Sequence, residues 1–322
     1  MSAARKVRAR LEAAGRVLLT GHERTDGDCV GSLIALDAVL QALGKEPRAV
    51  LPDRPAERYR ALVGCDRIEC YAGGALGAAD VVVALDAAGP DRLADLAAAL
   101  PEGAFVVNID HHASNTRWGD LAWVEPEASS VGEMIWGLVR EAGWPLPPEA
   151  AEGLYAAILT DTGRFTHPNT TAASLEAVAR LVEAGADASR LARLLYEERR
   201  EKEVRLLARA LASLELSGDG RVARVALTAR DFAAFDAGPA DTHEIVDWPR
   251  SIRGVEVAAY LYELEDGART RVSLRSAPPL DVSRVAAQFG GGGHAGAAAC
   301  TVEGSAEEVW AKVEPALREL LA

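Results

Sequence analysis

The sequence is poor in aromatic residues and has no apolar run of membrane-spanning length. Aromatic residues make up 5% of the 322 residues, and they form no series of the kind that stacks long single-stranded nucleic acid. The apolar runs are shorter than a membrane helix, and residues 1–6 lack the apolar core of a signal peptide. We therefore expect no membrane partner.

Cysteine is also scarce, with four residues that form neither a Cys-x-x-Cys pair nor a disulfide framework. They are Cys29, Cys65, Cys70 and Cys300. This usage is typical of a reducing compartment, so we expect a cytoplasmic protein.

Positive charge is the third deficit. The chain has 35 lysines and arginines against 48 aspartates and glutamates, a formal net charge of −13. Proteins that coat long nucleic acid do so largely by neutralising phosphates with cationic side chains, so this balance argues against that class. The length and the 49% hydrophobic content suit two globular domains.

The segment Asn108-Ile109-Asp110-His111-His112 ends an apolar run at 104–107 with three adjacent metal-capable side chains. Side chains alternate along a strand, so Asp110 and His112 share one side and His111 takes the other. A single ion can hardly bind all three. We expect one of them to coordinate while its neighbours orient it or contact substrate.

Three further apolar segments lead into similar residues. The run 16–21 precedes His22 and the pair Asp26 and Asp28, the run 80–85 precedes Asp86, and 154–160 precedes Asp161. A single aspartate at such a place is usually a turn or helix-cap residue, but caps explain four such segments poorly. In open α/β sheets ligands bind beyond the carboxyl ends of the strands, so these groups should converge. The pattern predicts a metal site.

Strands alternating with helices predict an α/β fold with an N-terminal, doubly wound parallel sheet. Helices are expected at 3–15, 30–43, 56–64, 129–142, 149–160 and 172–184, with an additional strand at 48–52. We predict a catalytic domain over 1–186, a charge-dense helical connector over 187–216, and a smaller α+β domain over 217–322. In the last, strands are expected at 221–228, 255–264, 269–275 and 297–302, and helices at 242–252, 281–288 and 305–321.

The C-terminal domain has two segments suited to binding phosphate. Arg275 and Ser276 end a predicted strand with a guanidinium and a hydroxyl. The run 290–296 begins with four consecutive glycines, including Gly292 and Gly293, followed by His294. Glycines allow close backbone approach, so we expect a phosphate-cradling loop here.

Taken together, the ordered motifs resemble those of the DHH phosphoesterase superfamily, in its two-domain form with a DHH-associated C-terminal domain. Within it the sequence is similar to the bacterial nanoRNase group, whose members are oligoribonucleases and 3′-phosphoadenosine 5′-phosphate phosphatases. The matching motifs are His22-x-x-x-Asp26-Gly27-Asp28, Asp86, Asp110-His111-His112, Asp161-Thr162-Gly163, Thr166–Thr171 and the Gly-Gly-Gly-His run.

The resemblance implies two divalent ions, usually Mn²⁺, in a cleft between the domains. One ion would be held by His22, Asp26 and Asp86, and the other by Asp28, Asp86, His111 and Asp161, so that Asp86 bridges. A ligand set of carboxylates and imidazoles suits Mn²⁺ better than a set of thiolates would. Asp110 would orient its neighbours and His112 would contact phosphate. The implied substrate contacts are Asn115, Arg275, Ser276, Gly292, Gly293 and His294.

The implied activity is hydrolysis of short RNA or DNA oligonucleotides to 5′-mononucleotides, with 3′-phosphoadenosine 5′-phosphate as a further candidate substrate. A phosphodiesterase for cyclic or linear dinucleotides, such as cyclic di-AMP and pApA, remains an alternative with the same motifs. A non-catalytic nucleotide-binding protein is a third. Partners are expected to be short oligonucleotides and nucleotides, and the chain is expected to be a monomer or a homodimer.

Overall fold

The computed structural model describes residues 2–242, 245–264 and 267–321, and for His294 the backbone only. The chain forms two compact units, Met1–Glu198 and Arg199–Ala322. Neither unit contains, among the described residues, a helix with the length and apolarity that crossing a membrane requires.

Unit 1 is built on a six-stranded sheet whose neighbouring strands are all parallel. The strands are β1 (Arg16–Gly21), β2 (Glu46–Leu51), β3 (Glu69–Cys70), β4 (Val81–Leu85), β5 (Phe105–Asp110) and β6 (Leu121–Val124). Their order is β3-β2-β1-β4-β5-β6, so the chain winds outwards in both directions from β1 and β4. All residues of β4 are buried, as expected for a parallel strand covered on both faces.

The helices of unit 1 begin with side-chain caps in several cases. They are α1 (Ala3–Ala13), α2 (Gly27–Ala42), α3 (Glu57–Arg60), α4 (Val131–Ala142), α5 (Pro148–Asp161), α6 (Ala172–Glu183) and α7 (Ala188–Tyr196). Short 3₁₀ segments cover Cys65–Arg67 and Pro90–Ala99. Asp26 caps α2 by accepting from the Cys29 N–H, and Ser130 caps α4 by accepting from the Glu133 N–H.

Helix α2 lies in the centre of unit 1 and is buried from Gly27 to Leu40. It packs against α5 at a point where both helices carry glycine. A Cβ on Gly31 would lie 2.3 Å from the Gly153 carbonyl oxygen, and a Cβ on Gly153 would lie 2.6 Å from that of Gly31. The two backbones are therefore in direct contact, which only glycine allows at this distance.

Unit 2 is a smaller α+β domain. Its strands are β7 (Glu215–Leu216), β8 (Val222–Leu227), β9 (Val257–Glu263), β10 (Arg269–Ser276), β11 (Gly292–His294) and β12 (Ala297–Glu303). The sheet order is β11-β12-β10-β9-β8-β7, parallel only between β8 and β9. Its helices are α8 (Glu201–Ala212), α9 (Ala229–Ala234), α10 (Asp247–Arg250), α11 (Ser283–Gln288) and α12 (Ala306–Leu321), with a 3₁₀ turn at Pro239–Asp241.

Apolar side chains from both faces of this sheet form separate cores. Val257, Ala259 and Leu261 of β9 face a core that includes Val309 and Val313 of α12. The alternate β9 residues Ala258 and Tyr260 face a second core with Leu206 and Ala210 of α8. The sheet is thus a buried layer between helices.

The predicted fold class is confirmed, and the differences lie in short or glycine-rich elements. Strand β6 was not predicted, and only Asp247–Arg250 of the helix expected at 242–252 is helical, with residues 243 and 244 outside the described part. Two helices, α7 and α8, occupy the expected connector, and the predicted domain boundaries at 186 and 216 remain predictions. Part of the glycine run forms strand β11 instead of a loop, because glycines let it approach β12 closely.

Candidate metal centre

The predicted metal-binding side chains converge at the carboxyl ends of β1, β4 and β5. Strand order reverses between β1 and β4, which is the position where open α/β sheets bind ligands. Three overlapping groups have potential ligand atoms within 4.8 Å of one another. They are His22, Asp26 and Asp86; Asp28, His111 and Asp161; and Asp86, His111 and His112.

The first group is arranged around the Nε2 atom of His22. This atom lies 3.7 Å from Asp26 Oδ1 and 3.4 Å from Asp86 Oδ2. His22 Nδ1 lies 2.7 Å from the Glu23 carbonyl oxygen, to which it donates, so Nε2 is the nitrogen available to a metal. Burial lowers the pKa of His22, but the two carboxylates outweigh this effect and raise it to about 11. A site that favours positive charge this strongly also favours a bound cation.

The second group is arranged around the Nε2 atom of His111. This atom lies 3.8 Å from Asp28 Oδ2, 3.8 Å from Asp86 Oδ1 and 3.5 Å from Asp161 Oδ2. His111 Nδ1 lies 3.1 Å from the Ala128 carbonyl oxygen and is oriented in the same way as Nδ1 of His22. Burial and repulsion from Asp86 raise the pKa of Asp161 to about 7, although His111 opposes the shift.

Asp86 joins the two groups, because its Oδ2 faces His22 and its Oδ1 faces His111. Its side chain is buried, and burial together with the neighbouring Asp26 raises its pKa. None of the described residues donates a hydrogen bond to Oδ1. A buried carboxylate oxygen without a donor is costly unless a cation is bound to it, so the side chains present fit a bridged pair of metal ions.

Asp28 is held by the start of helix α4. Its Oδ2 accepts from the Val131 N–H at 2.7 Å and its Oδ1 from the Gly132 N–H at 2.9 Å, with Ser32 Oγ at 3.1 Å from Oδ1. These bonds fix the carboxylate facing His111. Burial and the nearby Asp86 and Asp161 nevertheless raise the pKa of Asp28, which again favours a cation in this group.

Asp110 and His112 form a separate pair beside Asp86. Asp110 Oδ1 lies 2.8 Å from His112 Nδ1, and the hydrogen bond raises the pKa of His112 to about 9. His112 Nδ1 is 3.4 Å from Asp86 Oδ1, but Asp110 holds this nitrogen. His111 thus points into the second group, and His112 pairs with Asp110. Their roles in catalysis remain predictions.

The predicted substrate-binding residues of unit 2 lie at the ends of β10 and β11. Arg275 donates from Nη1 to the Leu274 carbonyl at 3.0 Å, and burial lowers the pKa of its guanidinium despite the neighbouring Asp247. The Ser276 hydroxyl lies 3.0 Å from the Leu280 carbonyl and 3.1 Å from that of Ala295, so its hydrogen is directed at the protein's own backbone.

The glycine run is tightly packed at one of its two predicted binding positions. A Cβ on Gly293, which has φ +144°, would lie 2.5 Å from the Ala297 carbonyl oxygen, whereas nothing lies within 4 Å of that position on Gly292. The His294 side chain lies outside the described part of the structure.

Three residues that support the site were not predicted from the sequence. Asn169 donates to the Ser129 carbonyl at 3.0 Å and to that of Asp161 at 3.2 Å. Arg92 Nη2 lies 3.3 Å from His22 Nδ1. Asn108 is fully buried in β5 and bonds to the turn after Asp86. Asn108 gave a signal as a polar residue within an apolar strand, and Asn169 lies within the matching motif Thr166–Thr171, whereas Arg92 gave none.

Comparison with known proteins identifies both units. Residues 16–158 match the N-terminal domain of the DHH family, and residues 221–321 match the DHHA1 domain. The bifunctional oligoribonuclease and PAP phosphatase NrnA of Bacillus subtilis is 32% identical over 86% of this chain and 86% of its own length. Its namesake from Thermus thermophilus is 32% identical over 95% of this chain and 90% of its own length.

A solved structure gives the same result for the fold. An exopolyphosphatase-related protein from Bacteroides fragilis superposes with a TM-score of 0.92 at 25% identity, covering 98% of this chain and 96% of that one. The chain therefore belongs to the DHH family, in which it combines a DHH N-terminal domain with a DHHA1 domain.

Proposed function

We propose that the protein is a phosphoesterase, dependent on two divalent ions, that hydrolyses short RNA or DNA oligonucleotides to 5′-mononucleotides. The observation that carries the proposal is the buried Asp86, whose two oxygens face two separate groups of ligand atoms. Relatives named as oligoribonucleases and PAP phosphatases, matched over most of both chains, support the substrate class and add 3′-phosphoadenosine 5′-phosphate as a second substrate.

In this proposal His22, Asp26 and Asp86 hold one ion, and Asp28, Asp86, His111 and Asp161 hold the other. Two such ions activate water and stabilise charge on phosphoryl oxygens. The carboxylate and imidazole set, without a thiolate, favours Mn²⁺. The chain's own groups orient the site: Glu23 and Ala128 carbonyls set the two histidine rings, and the α4 N-terminus holds Asp28.

Asp110 and His112 act beside the ions in this proposal. Asp110 accepts from His112 Nδ1, which orients the ring and raises its pKa to about 9, so the ring is suited to contact a phosphoryl oxygen. In unit 2, Arg275, Gly292, Gly293 and His294 are proposed to bind a substrate phosphate remote from the ions. Ser276 joins them on the condition that its hydroxyl rotates away from the Leu280 and Ala295 carbonyl oxygens when the phosphate binds. Such remote binding energy helps to position the bond that is cleaved.

A product time course with an end-labelled oligomer of about five nucleotides in Mn²⁺ tests the proposal. The expected products are 5′-mononucleotides, released stepwise. Asp86→Asn serves as the matched variant, because loss of the shared carboxylate should weaken both ions and abolish turnover. The wild-type protein should bind two Mn²⁺ per chain by elemental analysis.

Three outcomes would contradict the proposal. Binding of the oligomer without any turnover would indicate a non-catalytic nucleotide-binding protein. Faster hydrolysis of cyclic di-AMP or of its linear product pApA than of the oligomer would indicate a dinucleotide phosphodiesterase. A single ion at saturating Mn²⁺, with Asp86→Asn still active, would exclude the bridged arrangement.

A further inference from the structure

Asn115 lies in the loop after β5 and uses its side chain entirely within the protein. Its Nδ2 lies 2.5 Å from Asp110 Oδ2, 2.9 Å from Asn108 Oδ1 and 3.3 Å from the Ala87 carbonyl oxygen. An amide nitrogen carries two hydrogens, and the two shorter contacts use both. Its Oδ1 accepts from the Arg117 N–H at 2.6 Å. Asn115 therefore has no hydrogen left for a phosphate oxygen.

The partner Asn108 fixes which way the Asn115 amide faces. Asn108 is fully buried, and its Nδ2 donates to the carbonyl oxygens of Ala87 at 3.1 Å and Ala84 at 3.4 Å. Carbonyl oxygens can only accept, so Asn108 Nδ2 must face them and its Oδ1 must face Asn115. Asn115 consequently donates to Asn108 and to Asp110. The flipped amide would place its oxygen against these two acceptor oxygens and would lose both hydrogen bonds.

One branch of this network reaches Asp86. The Ala87 carbonyl, immediately after Asp86, accepts from Asn108 Nδ2 at 3.1 Å and from Trp118 Nε1 at 2.9 Å, and it lies 3.3 Å from Asn115 Nδ2. The Thr116 N–H donates to the Ala88 carbonyl at 2.9 Å. Loop residues 115–118 thus hold the turn 86–88, in which Asp86 has the left-handed φ of +58°. For a residue other than glycine, that conformation needs such support.

The other branch reaches His112. Asn115 binds Asp110 Oδ2, while Asp110 Oδ1 accepts from His112 Nδ1 at 2.8 Å and from the His111 N–H at 2.8 Å. The carboxylate is fully buried, so its direction is set by these donors. Removal of the Asn115 amide would leave one carboxylate oxygen without its donor and free the Asp110 side chain to rotate.

We infer that Asn115, together with Asn108, is a positioning residue that holds both the Asp86 turn and the Asp110–His112 pair, and is not a contact to substrate phosphate. The part of this inference that concerns turnover rests on the proposed function. The part that concerns metal affinity does not.

The test measures Mn²⁺ affinity and turnover separately in Asn115→Ala and Asn115→Asp. Calorimetric titration of metal-stripped protein should show Mn²⁺ binding weakened by about 10- to 100-fold, because residues that orient ligands have effects of this size. In saturating Mn²⁺, kcat should fall by a similar factor on a dinucleotide and on a small chromogenic phosphodiester, with KM changed less than about threefold. Asn115→Asp should be at least as severe, since it places a second carboxylate against Asp110.

Ser114→Ala is the matched control, an exposed side chain of the same loop, and it should leave Mn²⁺ affinity unchanged. A dinucleotide KM raised tenfold or more, with kcat and Mn²⁺ affinity as in the wild type, would overturn the inference and make Asn115 a phosphate contact. If the Asn115 variants do not fold, Trp118→Phe decides, because it removes one donor to Ala87 and keeps a ring. Weaker Mn²⁺ binding would support the inference, and unchanged binding would overturn it.

Failure of the proposed function would look different. A wild-type protein that binds two Mn²⁺ but does not hydrolyse the dinucleotide would contradict the proposed activity, while the Mn²⁺ titrations of the variants would still decide the role of Asn115.

Discussion

At the residue scale, Asp86 combines three unfavourable features, of which a bound cation would relieve the two that concern its side chain. Its backbone is in the left-handed region, its side chain is buried, and its Oδ1 has no donor among the described residues. A left-handed conformation costs a residue with a side chain about 1–3 kcal/mol. Hydrogen bonds of the turn offset this cost: the Asp86 N–H donates to the Ile109 carbonyl, and the Ala87 carbonyl accepts from side chains of the following loop. The left-handed backbone places the Asp86 carboxylate between the two groups of candidate ligands.

Arg275 gives a residue-scale prediction for unit 2. Arg275→Ala should leave two bound Mn²⁺ but lower kcat/KM on a dinucleotide by about 10- to 100-fold, because losing one hydrogen bond to a charged phosphate reduces binding by about this factor. A chromogenic ester with a single phosphate should lose less, because it offers no remote group to bind.

Arg271 supplies the control for this prediction. It lies on the same face of β10 and contacts Thr301 Oγ1 at 3.2 Å, away from the strand end. Arg271→Ala should change the dinucleotide rate little. Equal losses on both substrates in Arg275→Ala would mean that this arginine supports the fold of unit 2 and does not bind a substrate phosphate.

At the element scale, the contact between α2 and α5 determines the spacing of two candidate ligands. Asp28 lies one turn before Gly31 on α2, and Asp161 is the last residue of α5. The helices touch through the backbones of Gly31 and Gly153. Because packed helices move as rigid bodies, a change at this contact should reach the second ligand group.

A pair of glycine substitutions tests this coupling. Gly31→Ala places a Cβ 2.3 Å from the Gly153 carbonyl oxygen and should lower the free energy of unfolding by about 1–3 kcal/mol. Gly137→Ala, in α4 with nothing within 4 Å of the new Cβ, should raise it by about 0.5–1 kcal/mol. Urea denaturation of the metal-free proteins measures both.

The same variants report on the metal centre. Gly31→Ala should weaken Mn²⁺ binding in a calorimetric titration, and Gly137→Ala should not. If Gly31→Ala lost stability while binding Mn²⁺ as tightly as the wild type, the ligand spacing would not depend on this helix contact.

At the scale of the whole molecule, charge and aromatic content predict a ceiling on substrate length. Residues 216–322 contain 11 lysines and arginines against 16 aspartates and glutamates, a balance of −5. Long single strands are normally held by a positive groove with aromatic platforms, and their binding weakens steeply with salt. In the proposed function, affinity comes from a few phosphate contacts and two ions, which a longer substrate could not multiply.

We therefore expect kcat/KM to peak at about two to five nucleotides and to fall for substrates of about 20, with weak salt dependence for the short ones. A length series of one sequence, assayed at two salt concentrations, measures this. Degradation of the longest substrate as efficiently as a trimer would require a continuous strand-binding channel and would contradict the ceiling.

The sequence alone was sufficient for the fold class and for the convergence of the candidate ligand side chains. Apolar runs that end in His22, Asp86 and Asp110 predict parallel strands, and parallel strands place their carboxyl ends at one edge. The alternation of side chains likewise predicted that His112 would lie on the same side as Asp110 and His111 on the other. These features are local or follow from topology, so no long-range contact had to be known.

Only the tertiary structure decided which polar side chains form hydrogen bonds with other groups of the protein and which are free to bind substrate. The Asn115 amide lies within hydrogen-bond distance of Ala87 and Asn108. The Ser276 hydroxyl donates to the Ala295 carbonyl, and Asn169 donates to the Ser129 carbonyl. The two members of each pair are separated along the chain. A side chain that can donate to substrate can equally donate to a carbonyl, and local sequence does not distinguish the two. Hydrogen-bond partners depend on which backbone segments the fold brings within about 3 Å, and this is a property of the packed chain.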